Sequence, residues 1–412
     1  MSNKVIIPML YGLEIPSRLL NIVSYYLLSL MIPASKHTLK FAEKVSSKAN
    51  SLFSDLLRKH LHLSTVTLNR ASRRRIEKLM KTRSDLVANG PWTIAIIIDA
   101  TLHERSSRYV ENCQKFNHGK GWMIGHQWTN IGILINGQYV PLPPIPFYTR
   151  DECRKRNIKY RTEHEKVAHF IKTLSLTDLL GTHSLDEIIV LLDAGYDNNL
   201  IFKTILSRKI SFCSSIKSSR TIFFDKEEKP NVASYFRDGR RPWKTIRLKV
   251  DSGKRKWRNH AVKRLESELN GVFNKLTLVC SKRSDGKIKY LVCSNLTVCS
   301  KVILSIYQKR WAIEVFHKMV KSYLGMEDAA SRKFDTLHAH VHWVYCAYIL
   351  LSDFTNDNSL GIKAGQELIL AHIEISKLKT IVQKSTMIKG SEQVRSYCFQ
   401  VIKAKEAMYA VP

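Results

Sequence analysis

The eight cysteines, Cys113, Cys153, Cys213, Cys280, Cys293, Cys299, Cys346 and Cys398, contain no C-x2-C pair, so the chain lacks the spacing of a structural zinc site. Long hydrophobic runs are missing as well. The most apolar early stretch, Leu19 to Met31, is interrupted by Asn21 and two serines and falls short of the roughly 20 apolar residues that a membrane span needs. It reads as a buried helix. Residues 1–17 have no basic region followed directly by an apolar core and a small-residue cleavage site, which excludes a typical signal peptide. A cytoplasmic protein with free thiols is the expectation. Acids are scarce, 35 against 66 Lys and Arg, giving a net charge of +31. That imbalance excludes an acidic tail and favours a polyanionic partner, nucleic acid before an anionic membrane surface. No repeat or low-complexity tract is present. Against these absences stand 44% hydrophobic and 25% charged residues over 412 positions, ordinary globular usage for two or three domains.

Residues 1 to about 90 read as helical and basic, with Arg70, Arg73, Arg74 and Arg75 clustered in a polar helix pattern. Thr38–Val45 and Ser51–His60 both carry apolar residues at helical spacing around a short polar link, which fits a helix-turn-helix or an ordinary helical hairpin. From residue 92 the texture changes. Ile94–Ile98 is a continuous apolar run, as in a strand buried on both faces, and it ends in Asp99. Ile131–Ile135, Asn136-Gly137 and Tyr139–Leu142 form a hairpin pattern. Glu163–Leu180 is expected as one amphipathic helix. Ile188–Leu192 repeats the buried-strand design and ends in Asp193, and a helix from about Asn198 and a strand Ile210–Ser214 follow. Strand, hairpin, helix, strand, helix, strand is the order of a ribonuclease H-like fold. In that fold the first and fourth strands are neighbours, which would bring Asp99 and Asp193 together. Residues 201–290 interrupt this order with 24 Lys or Arg against 8 acids and strand-like runs at Thr245–Val250, Lys275–Cys280 and Lys287–Val292, a basic, β-rich insertion.

A helix expected over Lys301–Leu324 carries Tyr307, Arg310, Glu314 and Lys321. At ~100° per residue these project within an arc of about 60°, away from Ile306, Ile313, Phe316 and Val320. Such a stripe is most simply a solvated face with i, i+4 pairing. Two strand-end aspartates elsewhere in the chain favour a further role. Three carboxylates from two strands and a helix supply the hard oxygen ligands that two Mg²⁺ ions require for in-line phosphoryl transfer, and Arg and Lys beside them suit phosphates.

Tyr307-x2-Arg310-x3-Glu314-x6-Lys321 resembles the Y-x2-R-x3-E-x6-K signature of DDE transposases of bacterial insertion sequences, and Tyr307–Lys318 resembles that family's acid-bearing helix. Asp99 in Ile98-Asp99-Ala100-Thr101 and Asp193 in Leu192-Asp193-Ala194-Gly195-Tyr196-Asp197 resemble its first two motifs. The similarity spans roughly residues 92–350. The resemblance implies an α/β protein with a ribonuclease H-like mixed sheet flanked by helices. It implies catalytic, metal-holding Asp99, Asp193 and Glu314, and DNA contacts from Tyr307, Arg310, Lys318 and Lys321. The cofactor would be Mg²⁺, with Mn²⁺ substituting, and the partners transposon-end and target DNA, bound by a homodimer with no membrane role. Strand cleavage and 3′ hydroxyl strand transfer would follow, in a cut-and-paste pathway with a hairpin intermediate in some members. The expected layout is a helical DNA-binding domain at 1–90, a catalytic domain at 91–215 and 297–355, the insertion at 216–296 and a C-terminal helical region at 356–412.

Other features have plainer readings. His338-Ala339-His340-Val341-His342 could pair two imidazoles on a strand, but its apolar surroundings favour a packed helix, where alternate residues diverge by roughly 200°. His103, His118 and His126 are expected as surface or supporting residues, and Asp197 as the cap of the next helix. Glu104 and Glu111 are further acids near the site. Trp243 and Trp257, with Arg255 and Arg258, suit a base-stacking surface, although core burial is the simpler expectation for either ring alone. A DNA-binding regulator or domesticated protein that keeps the fold without the chemistry would show the same charge, though it would have no use for three acids that repel one another without metal.

Overall fold

The computed structural model describes residues 6–105, 109–117, 121–181, 185–223, 230–237, 242–249, 257–357, 360–385 and 392–409. The helices, in chain order, are α1 Ile6–Met9, α2 Ser17–Met31, α3 Leu39–Ser46, α4 Asn50–Lys59, α5 Leu61–Met80, α6 Arg150–Lys155, α7 Glu163–Thr173, α8 Leu176–Leu180, α9 Asn199–Ser207, α10 Val232–Arg237, α11 Ser300–Gln308, α12 Trp311–Ser322, α13 Phe334–Asp357, α14 Ile362–Ser385 and α15 Glu392–Tyr409. The strands are β1 Ile94–Glu104, β2 Gln114–Asn117, β3 Trp122–Ile135, β4 Gln138–Pro141, β5 Ile145–Pro146, β6 Ile188–Leu192, β7 Ser211–Ser215, β8 Ile222–Phe223, β9 Lys244–Lys249, β10 Trp257–Leu269, β11 Val272–Arg283 and β12 Ile288–Cys293. Two compact units are formed, one from residues 1–75, 105–124 and 317–412, the other from 76–104 and 125–316.

The second unit is built on a mixed sheet in the order β3-β1-β6-β7-β12-β11-β10-β8, with β4 and β5 on β3 and β9 on β10. β1 runs antiparallel to β3 and parallel to β6. Ile94–Ile98 and every residue of β6 are buried, because a central strand with parallel neighbours is covered on both faces. The β3–β4 turn pairs Ile135 with Gln138, and Asn136 and Gly137 take φ of 51° and 76°, the left-handed values that a two-residue hairpin requires. β6 and β7 are parallel, and β12 pairs with the outer edge of β7. The basic segment therefore extends the central sheet and covers what would otherwise be an open strand edge.

The structure departs from the sequence expectations at four elements. Glu163–Leu180 is two helices, because Leu174 is extended and the Ser175 side chain caps α8 by accepting from the Asp178 amide. Lys301–Leu324 is also two helices. Between them the Lys309 and Arg310 amides donate to the carbonyls of Ile306 and Tyr307 at 3.0 and 3.1 Å, a tighter i, i+3 turn that re-aims the second helix. Asp99 is not at a strand tip, since β1 continues to Glu104 along β3; only its ladder with β6 ends at Ile98 opposite Leu192. β10, thirteen residues long, was hidden by charged side chains alternating along it.

In the first unit, α2 and α4 pack on α13. The apolar stretch Leu19–Met31 is the buried helix α2, with Val23 to Met31 buried throughout, and no helix among the described residues is long and apolar enough to cross a membrane. His338, His340 and His342 lie on α13. The Tyr26 hydroxyl is 2.7 Å from His340 Nδ1, whose other ring nitrogen is 2.9 Å from the Gly325 carbonyl. His342 Nδ1 is 3.0 Å from the Ser64 hydroxyl. Burial holds the His340 pKa down at about 4 and lowers that of His342, so both are neutral packing groups. The arginine cluster ties down the same unit. Arg70 pairs with Glu14 at 2.5 Å, Arg74 donates to the Tyr11 and Met9 carbonyls, and buried Arg75 pairs with Asp353.

Candidate active site

The β1–β6 ladder brings the two aspartates together. Ile98 is in register with Leu192, so Asp99, within β1, and Asp193, directly after β6, each follow the last paired residue of two adjacent parallel strands, and the charge of Asp193 acts on Asp99. On the other side Asp99 faces buried Asn130 of β3. Arg310, at the turn between α11 and α12, supplies the third contact. Its Nη1 donates to Asp99 Oδ2 at 3.2 Å and its Nη2 to Glu314 Oε1. One strand acid and one helix acid are thereby bonded to one guanidinium, and Asp193 is close enough for its charge to act on it.

Burial raises the Asp99 pKa to about 6, and the charges of Asp193 and Glu314 push the same way, against Arg310 and the Ala100 amide, which donates to Asp99 Oδ1 at 2.9 Å. Burial of Arg310 alone would ease its deprotonation, but Tyr307, Asp193, Asp99 and Glu314 together raise its pKa. The stripe therefore turns inward at its first two members. Tyr307 and Arg310 are 6% and 7% exposed, whereas a solvated face would leave both open. Among the described residues no group of three His, Cys, Asp or Glu side chains could hold a metal ion as arranged, and Arg310 bonds both Asp99 and Glu314. By chemistry the donors fit a hard dication. They are carboxylate oxygens only, and Asp99 is held charged at a cost that comes first from burial and then from repulsion by the other two acids, which a nearby cation relieves.

Lys289 on β12 joins the site without any signal in the sequence motifs. Its Nζ is 5.0 Å from the centre of the Tyr307 ring. Partial burial and Arg310 lower its pKa, while Asp193 and Glu314 pull it back up. Glu163, the first residue of α7, was missed as well. Its Oε1 accepts from the Tyr196 hydroxyl at 2.6 Å and the Thr129 hydroxyl at 3.2 Å, and its Oε2 accepts from Gln127 Nε2 at 2.7 Å. His164 Nε2 is 2.9 Å from the Gly195 carbonyl. The start of α7 thus clamps the turn that follows Asp193. The Thr162-x2-Glu165 capping box that fixes this start was a readable signal in the sequence.

Lys318 and Lys321 lie about one and two turns beyond Glu314 on α12; Lys318 is exposed and Lys321 pairs with Glu327 at 2.8 Å. Trp243 and Trp257 are 40% and 45% exposed, so the expectation of core burial fails for both. The hairpin of β9 and β10 is an outer element with only Ile246 and Leu248 turned inward on β9. Lys263 Nζ lies 4.9 Å from the Trp243 ring centre and the Arg247 guanidinium 5.2 Å from that of Trp257. Arg258 is exposed, and Arg255 lies outside the described residues. Asp197 does not cap α9, which Asn198 does. Instead Asp197 accepts from the Lys217 amide at 3.0 Å and pairs with Arg220 at 3.5 Å. His103 and His126 are buried beside Trp128, and His118 lies outside the described residues. Glu104 is exposed. Glu111 accepts from Lys333 Nζ and the Phe334 amide at the start of α13.

Residues 150–350 match the family model of the transposase DDE domain. The matched segment includes Asp193, Arg310 and Glu314, while Asp99 precedes it. This match supports a transposase of the DDE class. Among solved structures the chain is similar to the piggyBac transposase of a cryo-EM synaptic complex with hairpin DNA, at 13% identity and a TM-score of 0.46, over 97% of this chain and 82% of that one. No curated protein matches the sequence.

Proposed function

We propose that this protein is a cut-and-paste DNA transposase of the insertion-sequence branch bearing the Tyr-x2-Arg-x3-Glu-x6-Lys signature, acting in a bacterial cytoplasm as a homodimer on transposon ends. The observation that carries this reading is that Arg310 bonds both Asp99 and Glu314 while Asp193, directly after the strand paired with that of Asp99, acts on both Asp99 and Arg310 through its charge. The order β4-β3-β1-β6-β7, with β1 parallel to β6, supports a ribonuclease H-like core.

Asp99, Asp193 and Glu314 would hold Mg²⁺, with Mn²⁺ able to substitute; when bound, the metal stabilises the attacking and leaving oxygens of an in-line displacement at phosphorus. Asp99 presents its carboxylate from the sheet and Asp193 from the turn directly after β6. Glu314 enters from the helix, and Arg310 holds it against Asp99. Lys289, beside Tyr307, offers a cation to a phosphate oxygen, and Lys318 and Lys321 continue positive charge along the helix. Exposed Trp257 and Trp243, with Arg258 and Arg255, offer stacking and phosphate contacts for a base displaced during hairpin formation.

The test is incubation of the purified protein with duplex DNA taken from either flank of the reading frame. Nicking that requires Mg²⁺ and is lost in Asp193→Ala, with duplex binding retained, is the expected result. Tight binding without metal-dependent nicking would identify a regulator that keeps the fold and overturn the proposal.

A further inference from the structure

The segment from β5 to α7 carries no motif, yet both its ends are anchored beside the acids. At one end, Ile145 and Pro146 pair with Thr129 and Trp128 of β3, next to the Asn130 that faces Asp99. At the other, Glu163 and His164 grip Tyr196 and Gly195 in the turn after Asp193. Between these anchors Phe147–Arg161 contains six Lys or Arg and two acids. Both acids are already engaged, since Glu152 pairs with Arg156 at 2.6 Å and Asp151 with Arg154 at 2.8 Å. Neither acid is paired with Arg150, Lys155, Lys159 or Arg161; the Glu165 carboxylate at the start of α7 feels the charges of Lys159 and Arg161, and Arg150, Lys155 and Lys159 are exposed.

Aromatic rings hold the cations in place. The Arg150 guanidinium lies 4.4 Å from the centre of the Tyr160 ring and that of Arg156 lies 5.1 Å from Tyr148. Tyr160 meets Phe147 edge-on at 6.3 Å. Lys166 Nζ donates to the Pro146 carbonyl at 2.8 Å and lies 5.0 Å from the Phe147 ring centre. A guanidinium stacked on an aromatic face keeps its in-plane N–H donors directed outward, the geometry that a phosphate accepts in a bidentate manner. Helical ion pairs of the ordinary kind use up both acids of the segment, and what sets it apart from a solvated charge run is the excess of cations over acids together with the ring beneath Arg150.

We infer that Phe147–Arg161 is a phosphate track for duplex DNA flanking the cleavage site, with Arg150 as its preorganised centre. The inference rests on the proposed reading that DNA occupies the acid site. Each phosphate neutralised on duplex DNA contributes about 0.9 to the slope of log affinity against log salt. The combined variant Arg150→Gln, Lys155→Gln, Lys159→Gln should therefore flatten that slope by about 2.7. A control of equal charge loss, Lys363→Gln, Lys377→Gln, Lys403→Gln, removes exposed cations from the C-terminal helices and should change it by less than one.

The measurement is fluorescence anisotropy of a labelled duplex from the flank of the reading frame, titrated at several KCl concentrations. Circular dichroism melts of both variants accompany it. If the triple variant does not fold, single Lys159→Gln should still lower the slope by about 0.9, and charge-preserving Arg150→Lys should weaken binding with little change in slope. Equal slopes in the track and control variants would overturn the inference. Nicking is read in parallel. A wild-type protein that nicks while the track variant keeps its slope refutes the track alone, whereas a flattened slope in a protein that never nicks refutes the transposase reading and leaves the track standing.

Discussion

Replacing Arg310 by Met removes a cation bonded to both Asp99 and Glu314 while leaving an apolar side chain of similar reach. In the native protein Asp99 titrates near 6 instead of its ordinary 3.8, chiefly because it is buried and then because Asp193 and Glu314 repel its charge. A carboxyl raised in this way costs about 3 kcal/mol of folding free energy once the pH exceeds both values. The sign follows from proton linkage. Below the unfolded value the group is protonated in both states and costs nothing. The penalty then grows as the pH rises from 3.8 through about 6, and it is constant above. Loss of Arg310 strips the main attraction opposing this penalty, and removing one partner of a buried ion pair typically costs about 3–5 kcal/mol. Urea unfolding of wild type and Arg310→Met at pH 8 should show a loss of that size. At pH 5, where Asp99 is mostly protonated in either protein, the loss should be clearly smaller. Adding Asp99→Asn to the variant should recover most of the stability at pH 8. Equal stability at pH 8, or an equal loss at both pH values, would refute the argument that Arg310 is the counter-charge of these acids.

Glu163→Gln keeps the shape of α7 but weakens charge-assisted bonds worth about 1.5–3 kcal/mol each. Nicking should fall at least tenfold with duplex affinity unchanged, and a parallel loss of affinity would argue against a positioning role. Lys321→Ala should flatten the salt dependence of duplex binding by about 0.9 without altering sequence preference, and an unchanged slope would leave Lys321 a structural residue that pairs with Glu327. Trp257→Ala should nick the first strand at a near-normal rate but accumulate nicked DNA, with Trp243→Ala weaker in effect; normal hairpin yield from the double variant on a denaturing gel would remove both rings from that step.

The strands that carry the acids could be read in advance because a strand buried on both faces must be apolar along its length. Ile94–Ile98 and Ile188–Leu192 advertise themselves, and the acid closing each run stands out. Asn136-Gly137 was legible for the same kind of reason, a backbone that few other residues tolerate. The break between α11 and α12 was not, because no Gly or Pro marks it. Arg310 turns inward to bond Asp99, 211 residues away in the chain, as well as its neighbour Glu314. Glu163 and Lys289 are ordinary surface residues until α7 and β12 bring them to the Asp193 turn and to Tyr307. β10 escaped notice because its basic residues divide between two settings. Arg258 faces solvent, while Lys263 is buried and donates to the Phe236 carbonyl at 3.0 Å. Composition alone does not separate these settings.

The central claim is that Asp193 is a metal ligand in a phosphoryl-transfer site, and a change of ligand softness tests it most directly. A thiolate binds Mg²⁺ poorly and the softer Mn²⁺ better. Asp193→Cys should therefore be inactive in Mg²⁺ and regain nicking of flank DNA in Mn²⁺, while Asp193→Ala stays inactive in both. Wild-type rates in Mg²⁺ from either variant would contradict the account.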